Sequence, residues 1–118
     1  MTPNSFEFTV KLPGDLRLLG AVRQLANQAA DYAQLAPESR TELAAEVERA
    51  AGAAIGQAAG GPIEIVFSGT DTAVTVTISC SSSADAPHAT SFAAEGISVE
   101  WTNARGRRIC HIRQRIPA

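Results

Sequence analysis

The sequence is poor in cysteine, in aromatic residues and in long apolar runs. Its two cysteines, Cys80 and Cys110, are too few for the disulfide framework of a small secreted protein. No apolar run approaches the roughly 20 residues that span a membrane, and the N-terminus lacks the basic start and apolar block of a signal peptide. We therefore expect a single cytoplasmic domain over residues 1–118, in which both cysteines are small buried hydrophobic residues.

The chain also lacks the common motifs of hydrolases, phosphate-binding loops and zinc sites. Ser79–Ser83 contains no Gly-x-Ser-x-Gly turn, and no Gly-x₄-Gly-Lys-Ser/Thr loop is present. Cys80, Cys110, His88 and His111 are the residue types of a zinc site, but their spacing does not fit one. Adjacent Cys110 and His111 would point to opposite faces of a strand. We expect no metal ion and no catalytic residue.

Charge is distributed unevenly along the chain. The net charge is −2, yet all twelve acidic residues lie in residues 1–104, and five of the ten basic residues, all arginines, lie in residues 105–118. In the strand predicted at 108–116, His111, Arg113 and Arg115 share one face. The plainer interpretation is a solvated edge strand whose charge discourages aggregation. The alternative is a surface that binds an acidic partner or nucleic acid.

Hydrophobic periodicity and turn residues predict the secondary structure. The predicted elements are a strand at 6–12, a helix from 16 to about 34, a helix from 37 to about 58, a hairpin of strands at 63–67 and 74–80, a polar loop at 81–90, one short helical turn at 91–95, and a hairpin of strands at 97–101 and 108–116. Asp15 is the expected N-cap of the first helix, and Gly60-Gly61-Pro62 ends the second. The fold class that follows is α+β: a two-layer sandwich in which two main helices cover one face of a mainly antiparallel sheet of about five strands.

The inner faces of the two helices are predicted from their spacing. For the first helix the inner residues are Leu18, Val22, Leu25, Ala29 and Tyr32. For the second they are Leu43, Val47, Ala50, Ala51, Ala54 and Ala58. The many small residues of the second helix predict a close approach to the sheet or to the other helix.

Several segments resemble bacterial anti-sigma factors and switch-protein serine kinases, which share the ATPase fold of histidine kinases. The stretch 42–58, with the Gly-Gly-Pro and alternating strand that follow it, resembles the signature helix of that family. Three further matches occur in the same order: Ala21–Leu25, Gly61–Ile65, and Ile97–Trp101 with its Gly turn and basic last strand. The resemblance covers nearly the whole chain and implies the histidine-kinase-like ATPase fold with a reduced lid.

The residues that the resemblance would assign to nucleotide binding have changed. In register, Arg49 stands where the family has a carboxylate that activates the attacking group, and Ala53 stands where it has the Asn that holds Mg²⁺. Cys80, Ser82 and Ala84 stand where the family has the Asp and two glycines that contact adenine. The resemblance therefore implies a degenerate domain without ATP binding or kinase activity, and with no cofactor. We expect Ala53 to pack against the sheet and Arg49 to reach into or over the former phosphate site.

The function implied is that of a non-catalytic regulatory domain that binds a protein, such as a sigma factor, an antagonist domain or a kinase. Arg23 matches a family position on the surface that grips these partners, because it lies thirty residues before Ala53 as in the family. The alternative interpretation is that Arg23 simply faces solvent, as most helix arginines do. Arg113 and Arg115 are the other candidate contacts. A homodimer is compatible with the resemblance, and no membrane partner is expected.

Two alternative functions stay open. One is an active ATP-dependent protein serine kinase or anti-sigma factor with unusual ligands. The other is a nucleic-acid-binding module that uses the C-terminal arginine strand and Trp101. Against the second, aromatic residues are 5% of the chain and none alternates with those arginines as a base-stacking platform requires, and the pI is near 5.6.

Overall fold

The architecture is one antiparallel sheet with two helices packed on one face. The computed structural model describes residues 6–57, 61–70, 72–81, 89–94, 96–104 and 106–116. Its elements are β1 (Phe6–Leu12), a 3₁₀ turn (Leu16–Leu18), α1 (Leu19–Tyr32), α2 (Pro37–Gln57), β2 (Ile63–Gly69), β3 (Ala73–Ser81), β4 (Ala89–Ala94), β5 (Ile97–Ala104) and β6 (Arg107–Arg115). The strands are ordered β1-β2-β3-β6-β5-β4, and every neighbouring pair is antiparallel. Within these ranges no helix is both long and apolar enough to cross a membrane.

The predicted fold class, a two-layer α+β sandwich, is confirmed. The two helices pack against each other, α1 contacts β2, and α2 contacts β3 and β6. The layers form because the strands alternate: on β2, Ile63, Ile65 and Phe67 are at most 1% exposed, while Glu64 and Val66 between them are partly exposed. The face of the sheet that meets the helices is called the inner face below, and the opposite face the outer face.

Register carries this alternation across the sheet. One inner row runs through Phe8, Phe67, Val76, Ile112 and Val99, which are cross-strand partners from β1 to β5. The adjacent outer row runs through Thr9, Val66, Thr77, His111 and Glu100. An outer row that is polar except for Val66, beside an apolar inner row, is the pattern of a sheet with one solvated face.

Helix α1 ends in a Schellman motif that turns the chain into α2. The Leu35 N–H donates to the Ala30 carbonyl and the Gln34 N–H donates to the Asp31 carbonyl, each at 3.0 Å. Gln34 has the left-handed backbone conformation, with φ 59°, which glycine usually adopts at this position. Leu35 is 4% exposed and anchors the turn in the core. At the other end, Asp15 was expected to cap the first helix; it caps the 3₁₀ turn that precedes α1, its carboxylate accepting from the Arg17 N–H at 2.9 Å. The N-cap of α1 itself is Leu18, which makes no side-chain capping bond.

Two local predictions are wrong. The short helical turn at 91–95 is replaced by strand β4, which pairs with β5 across the turn at Gly96, where φ is 83°. Cross-strand pairing has overridden the helical preference of the two alanines there. Tyr32 was expected on the inner face of α1 but is 70% exposed. Ala26 and Ala30 are buried instead, because the helix approaches the sheet through its small residues.

The inner face predicted for α2 is confirmed for Leu43, Val47, Ala50, Ala51 and Ala54, none of which is more than 5% exposed. Ala58 lies outside the described residues, as does most of the predicted polar loop. The described end of that loop, from Ala89, belongs to β4.

Candidate protein-binding surface

Strand β6 presents a row of basic side chains on the outer face of the sheet. Arg107, His111, Arg113 and Arg115 are exposed, and we call these four residues the basic row. The alternate residues point inward: Cys110 and Ile112 are 0% exposed and Gln114 is 2% exposed. Ile109, between Arg107 and His111 on the outer face, is a partly exposed apolar residue. The face shared by His111, Arg113 and Arg115 is therefore the one expected from strand periodicity. Because β6 lies between β3 and β5, the basic row crosses the interior of the sheet face instead of its edge.

Hydroxyl groups of β3 flank the basic row. The Arg107 Nη2 donates to Ser79 Oγ at 3.0 Å, and His111 Nδ1 lies 3.4 Å from Thr77 Oγ1. Thr75 is the cross-strand partner of Arg113 on the same side, and Ser98 of β5 is its partner on the other. Apart from Ile109, these neighbours of the basic row are short and polar, so the longer arginine side chains project beyond them.

The basic row is weakly neutralised. Within the described part of the chain the ion pairs use Lys11, Arg17, Arg40 and Arg49, so none reaches an arginine of the row. Glu100 of β5, opposite His111, is the acidic neighbour that the register supplies there. Several positive charges held on one face create a local positive potential that attracts acidic groups, even though the net charge of the chain is −2.

A shallow depression lies at each end of the basic row. The larger, of about 320 Å³, is lined by Gly96, Ile97, Ser98, Arg113 and Arg115. The smaller, of about 180 Å³, is lined by Arg107 together with residues at the ends of β1, β2 and β3. Both are open and have a mixed polar and apolar lining, as suits the side chains of a macromolecular partner better than an enclosed small molecule.

Arg108 does not belong to the basic row, although it lies in the same cluster of arginines in the sequence. It points inward and is 7% exposed. Its guanidinium lies 5.0 Å from the centroid of the Trp101 ring, and its Nη1 donates to Asn103 Oδ1 at 3.0 Å. Trp101 is thereby held on the inner face, away from the outer arginines. Strand periodicity alone would have placed Arg108 on the inner face, since it is an even-numbered residue of β6 like Cys110. A charged residue was not expected on the apolar face.

Arg23 is exposed on α1, in the helix layer. Arg113 and Arg115 are on the outer face of the sheet, on the other side of the molecule. The structure therefore separates the candidate contact residues into two surfaces, and a single partner footprint on one flat face cannot include them all.

The expected packing of Ala53 against the sheet is wrong. Ala53 is exposed, because the residues of α2 that meet the sheet are its neighbours Ala51 and Ala54. Arg49 is 72% exposed and its Nη1 donates to Glu46 Oε1 of the same helix at 2.5 Å. The carboxylate of Glu46 is 11% exposed, so this contact neutralises a charge at the rim of the core.

Of the positions that would contact adenine in the family, Cys80 is 0% exposed in the core, whereas Ser82 and Ala84 lie outside the described residues. Cys80 and Cys110 are both free thiols on the inner face. Burial raises the pKa of the Cys80 thiol, and it raises the pKa of the Cys110 thiol to about 12, with nearby Glu46 adding to the rise and Arg108 opposing it. Both thiols are therefore protonated and unreactive at neutral pH.

Metal-binding clusters of His, Cys, Asp and Glu are absent from the described ranges. His111 is on the outer face and Cys110 on the inner face, as expected for adjacent strand residues. His88, the other candidate, falls outside those ranges.

Comparison with models of known protein families gives no match to this chain, and neither does comparison with curated proteins.

Proposed function

We propose that this protein is a non-catalytic regulatory domain that binds an acidic surface of another protein through the basic row. The observation that carries the proposal is a set of arginines without an ion-pair partner among the described residues, displayed on a sheet face that neither described helix covers. The resemblance to anti-sigma factors adds the candidate partners: a sigma factor, an antagonist domain or a kinase. The chain would act in the cytoplasm without a cofactor.

Charge complementarity supports a protein partner. An acidic surface would place carboxylates against Arg113 and Arg115, and guanidinium groups bind carboxylates through two parallel hydrogen bonds. The hydroxyls of Thr75 and Ser98 beside Arg113 can accept or donate further hydrogen bonds. Such pairs steer association and fix the orientation of the partner.

Nucleic acid is the weaker candidate for the same surface. Single-stranded nucleic acid is bound by stacking bases on aromatic rings as well as by neutralising phosphates. The ring of Trp101 is engaged by Arg108 on the inner face, and the row itself contains no aromatic residue. A protein partner therefore fits the surface better.

Site-specific photo-crosslinking tests the proposal. A photoreactive phenylalanine analogue at Thr75, beside Arg113, is expected to crosslink a partner protein in cells that express the chain, whereas the analogue at exposed Gln24 of α1 is expected not to. Adding Arg113→Ala and Arg115→Ala should weaken binding of the captured partner about tenfold, since an arginine contact is worth about 1 kcal/mol or less at the rim of an interface and more at its centre. Binding is measured by titration with the purified partner.

The matched control is Arg17→Ala with Arg40→Ala, which removes the same charge from residues outside the sheet face. This control should bind the partner as the unchanged chain does. Crosslinking from Gln24 alone would place the interface on the surface that carries Arg23. A captured nucleic acid in place of a protein would favour the nucleic-acid module.

Thermal unfolding with and without Mg-ATP separates this proposal from an active kinase. A ligand at about 100 times its Kd stabilises a protein by roughly 2.7 kcal/mol, which for a domain of this size is a shift of several degrees. We expect no shift with millimolar Mg-ATP or Mg-ADP, because Arg49 and Ala53 offer no ligand for Mg²⁺. A shift of several degrees would put the kinase first.

A further inference from the structure

The apolar layer of the sandwich is incompletely covered at the β1 edge. Phe6, Phe8, Val10 and Leu12 face inward on β1 but are only partly buried, whereas their partners on β2 are fully buried. β1 is an edge strand, so its backbone N–H and C=O groups that point away from β2 have no strand partner within the described part of the chain. Exposed edges of this kind are templates for pairing with another strand.

The sequence of β1 is complementary to itself in one antiparallel register. With Thr9 opposite Thr9 of a second copy, all seven residues Phe6–Leu12 are paired. In this register Glu7 lies opposite Lys11 of the other copy, and Lys11 lies opposite its Glu7. On the inner face, Phe6 lies opposite Leu12 and Phe8 opposite Val10. The register of greatest overlap therefore places opposite charges together and apolar residues together.

We propose that two copies of this chain pair through their β1 edges, in the register centred on Thr9, to form one continuous sheet. The pairing is isologous, because a two-fold axis through Thr9 relates the two strands. The helices of both copies lie on the same side of that sheet, and both basic rows lie on the other. The apolar residues of each β1 are then covered by those of the other copy.

Two further observations agree with this pairing. Glu7 is exposed and has no ion-pair partner among the described residues, while Lys11 has only a 3.8 Å contact to Glu64. The large hydrophobic residues exposed in the described ranges are Leu16, at 61%, and Tyr32, at 70%. The Tyr32 ring lies 5.7 Å from that of Phe6, and Leu16 follows β1 by four residues at its other end. The two-fold axis brings the Phe6 end of one copy to the Leu12 end of the other.

Charge reversal tests the register in the full chain. Sedimentation equilibrium over concentrations up to about 100 μM is expected to show a reversible dimer, since an edge contact of modest area binds weakly. Glu7→Lys and Lys11→Glu should each raise the dimer Kd about tenfold, because two symmetric pairs change from attraction to repulsion. Glu7→Lys combined with Lys11→Glu should restore the original Kd. Glu42→Lys, the same charge change on an exposed residue of α2, should leave it unchanged.

Each outcome decides the proposal. Lys11→Glu and the double variant both place a second carboxylate beside Glu64 of the same copy, so this repulsion within one copy is the same in both. A return of the dimer Kd in the double variant therefore reports the pairing between copies alone. A monomer at every concentration overturns the proposal. A dimer whose Kd is unchanged by the single charge reversals, or is not restored by the double reversal, also overturns it. If Lys11→Glu unfolds the chain, as far-ultraviolet circular dichroism would show, Glu7→Lys against Glu42→Lys still tests the register.

Discussion

Replacement of Phe67 by alanine is expected to lower the free energy of unfolding by about 3–5 kcal/mol. Phe67 is 0% exposed at the centre of β2. Its ring centroid lies 4.9 Å from that of Phe8 on β1, and its other cross-strand partner is Val76 on β3. Truncation removes this contact area and leaves a cavity between the sheet and the helices that cannot close without shifting one of these layers. For a domain whose whole stability is of order 5–15 kcal/mol, the loss is large.

The matched control for Phe67→Ala is Val66→Ala, the preceding residue of the same strand. Val66 is on the outer face and partly exposed, so its truncation should cost less than about 1 kcal/mol. Urea unfolding followed by far-ultraviolet circular dichroism measures both variants. Equal losses would mean that the outer face is as closely packed as the inner one, and would contradict the proposal that this face is open to a partner.

The strands and helices that could be predicted from the sequence are those whose own pattern decides their structure. The alternation in Ile63–Phe67 and the spacing of Leu43, Val47 and Ala54 each have one good structural solution, because only that solution buries the apolar side chains. Strand β4 could not be predicted in this way. Ala89–Ala94 has no alternation, and it becomes a strand because the Gly96 turn returns the chain beside β5.

The candidate site was predictable in part for the same reason. Strand periodicity places His111, Arg113 and Arg115 on one face, but it does not give the strand order. β6 was expected to be an edge strand, whereas β3 and β5 flank it. Its outward-facing arginines therefore lie in the middle of a broad sheet face and do not protect an edge. Arg108 and Gln114 were missed because burial of a polar side chain depends on partners, here Trp101, Asn103 and the Arg115 carbonyl, that only the fold brings together.

The positions of Arg49 and Ala53 show what a resemblance can transfer. The register with the ATPase family implied a phosphate site beneath α2, and both residues were expected to close it. In the structure both lie on the exposed side of the helix, where Arg49 pairs with Glu46. A rotation of one or two residues around a helix exchanges its buried and exposed faces, so an alanine-rich helix specifies its inner face through Leu43 and Val47 more firmly than through any single alanine.

The Cys110 thiol is expected to make the protein less stable at alkaline pH. In the folded chain burial raises its pKa to about 12, whereas in the unfolded chain it titrates near the ordinary value of about 8.5. Between these pH values the unfolded state releases the proton and the folded state keeps it. The contribution of this thiol to the free energy of unfolding is therefore fully present below its pKa in the unfolded chain. It is lost as the pH rises toward its pKa in the folded chain. From pH 8 to pH 10 the loss is about 2 kcal/mol, at 1.36 kcal/mol per unit.

Urea unfolding at a series of pH values, under reducing conditions, measures this loss. Cys110→Ala removes the titrating group and should flatten the decline between pH 8 and pH 10 by about 2 kcal/mol, apart from a constant offset for the lost side chain. Cys80, whose pKa burial also raises, stays in both proteins and so cancels in the comparison. The same decline in Cys110→Ala as in the unchanged chain would mean that water reaches Cys110 between α2 and β6. The helix would then be less closely packed on the sheet than the burial of Cys110 indicates.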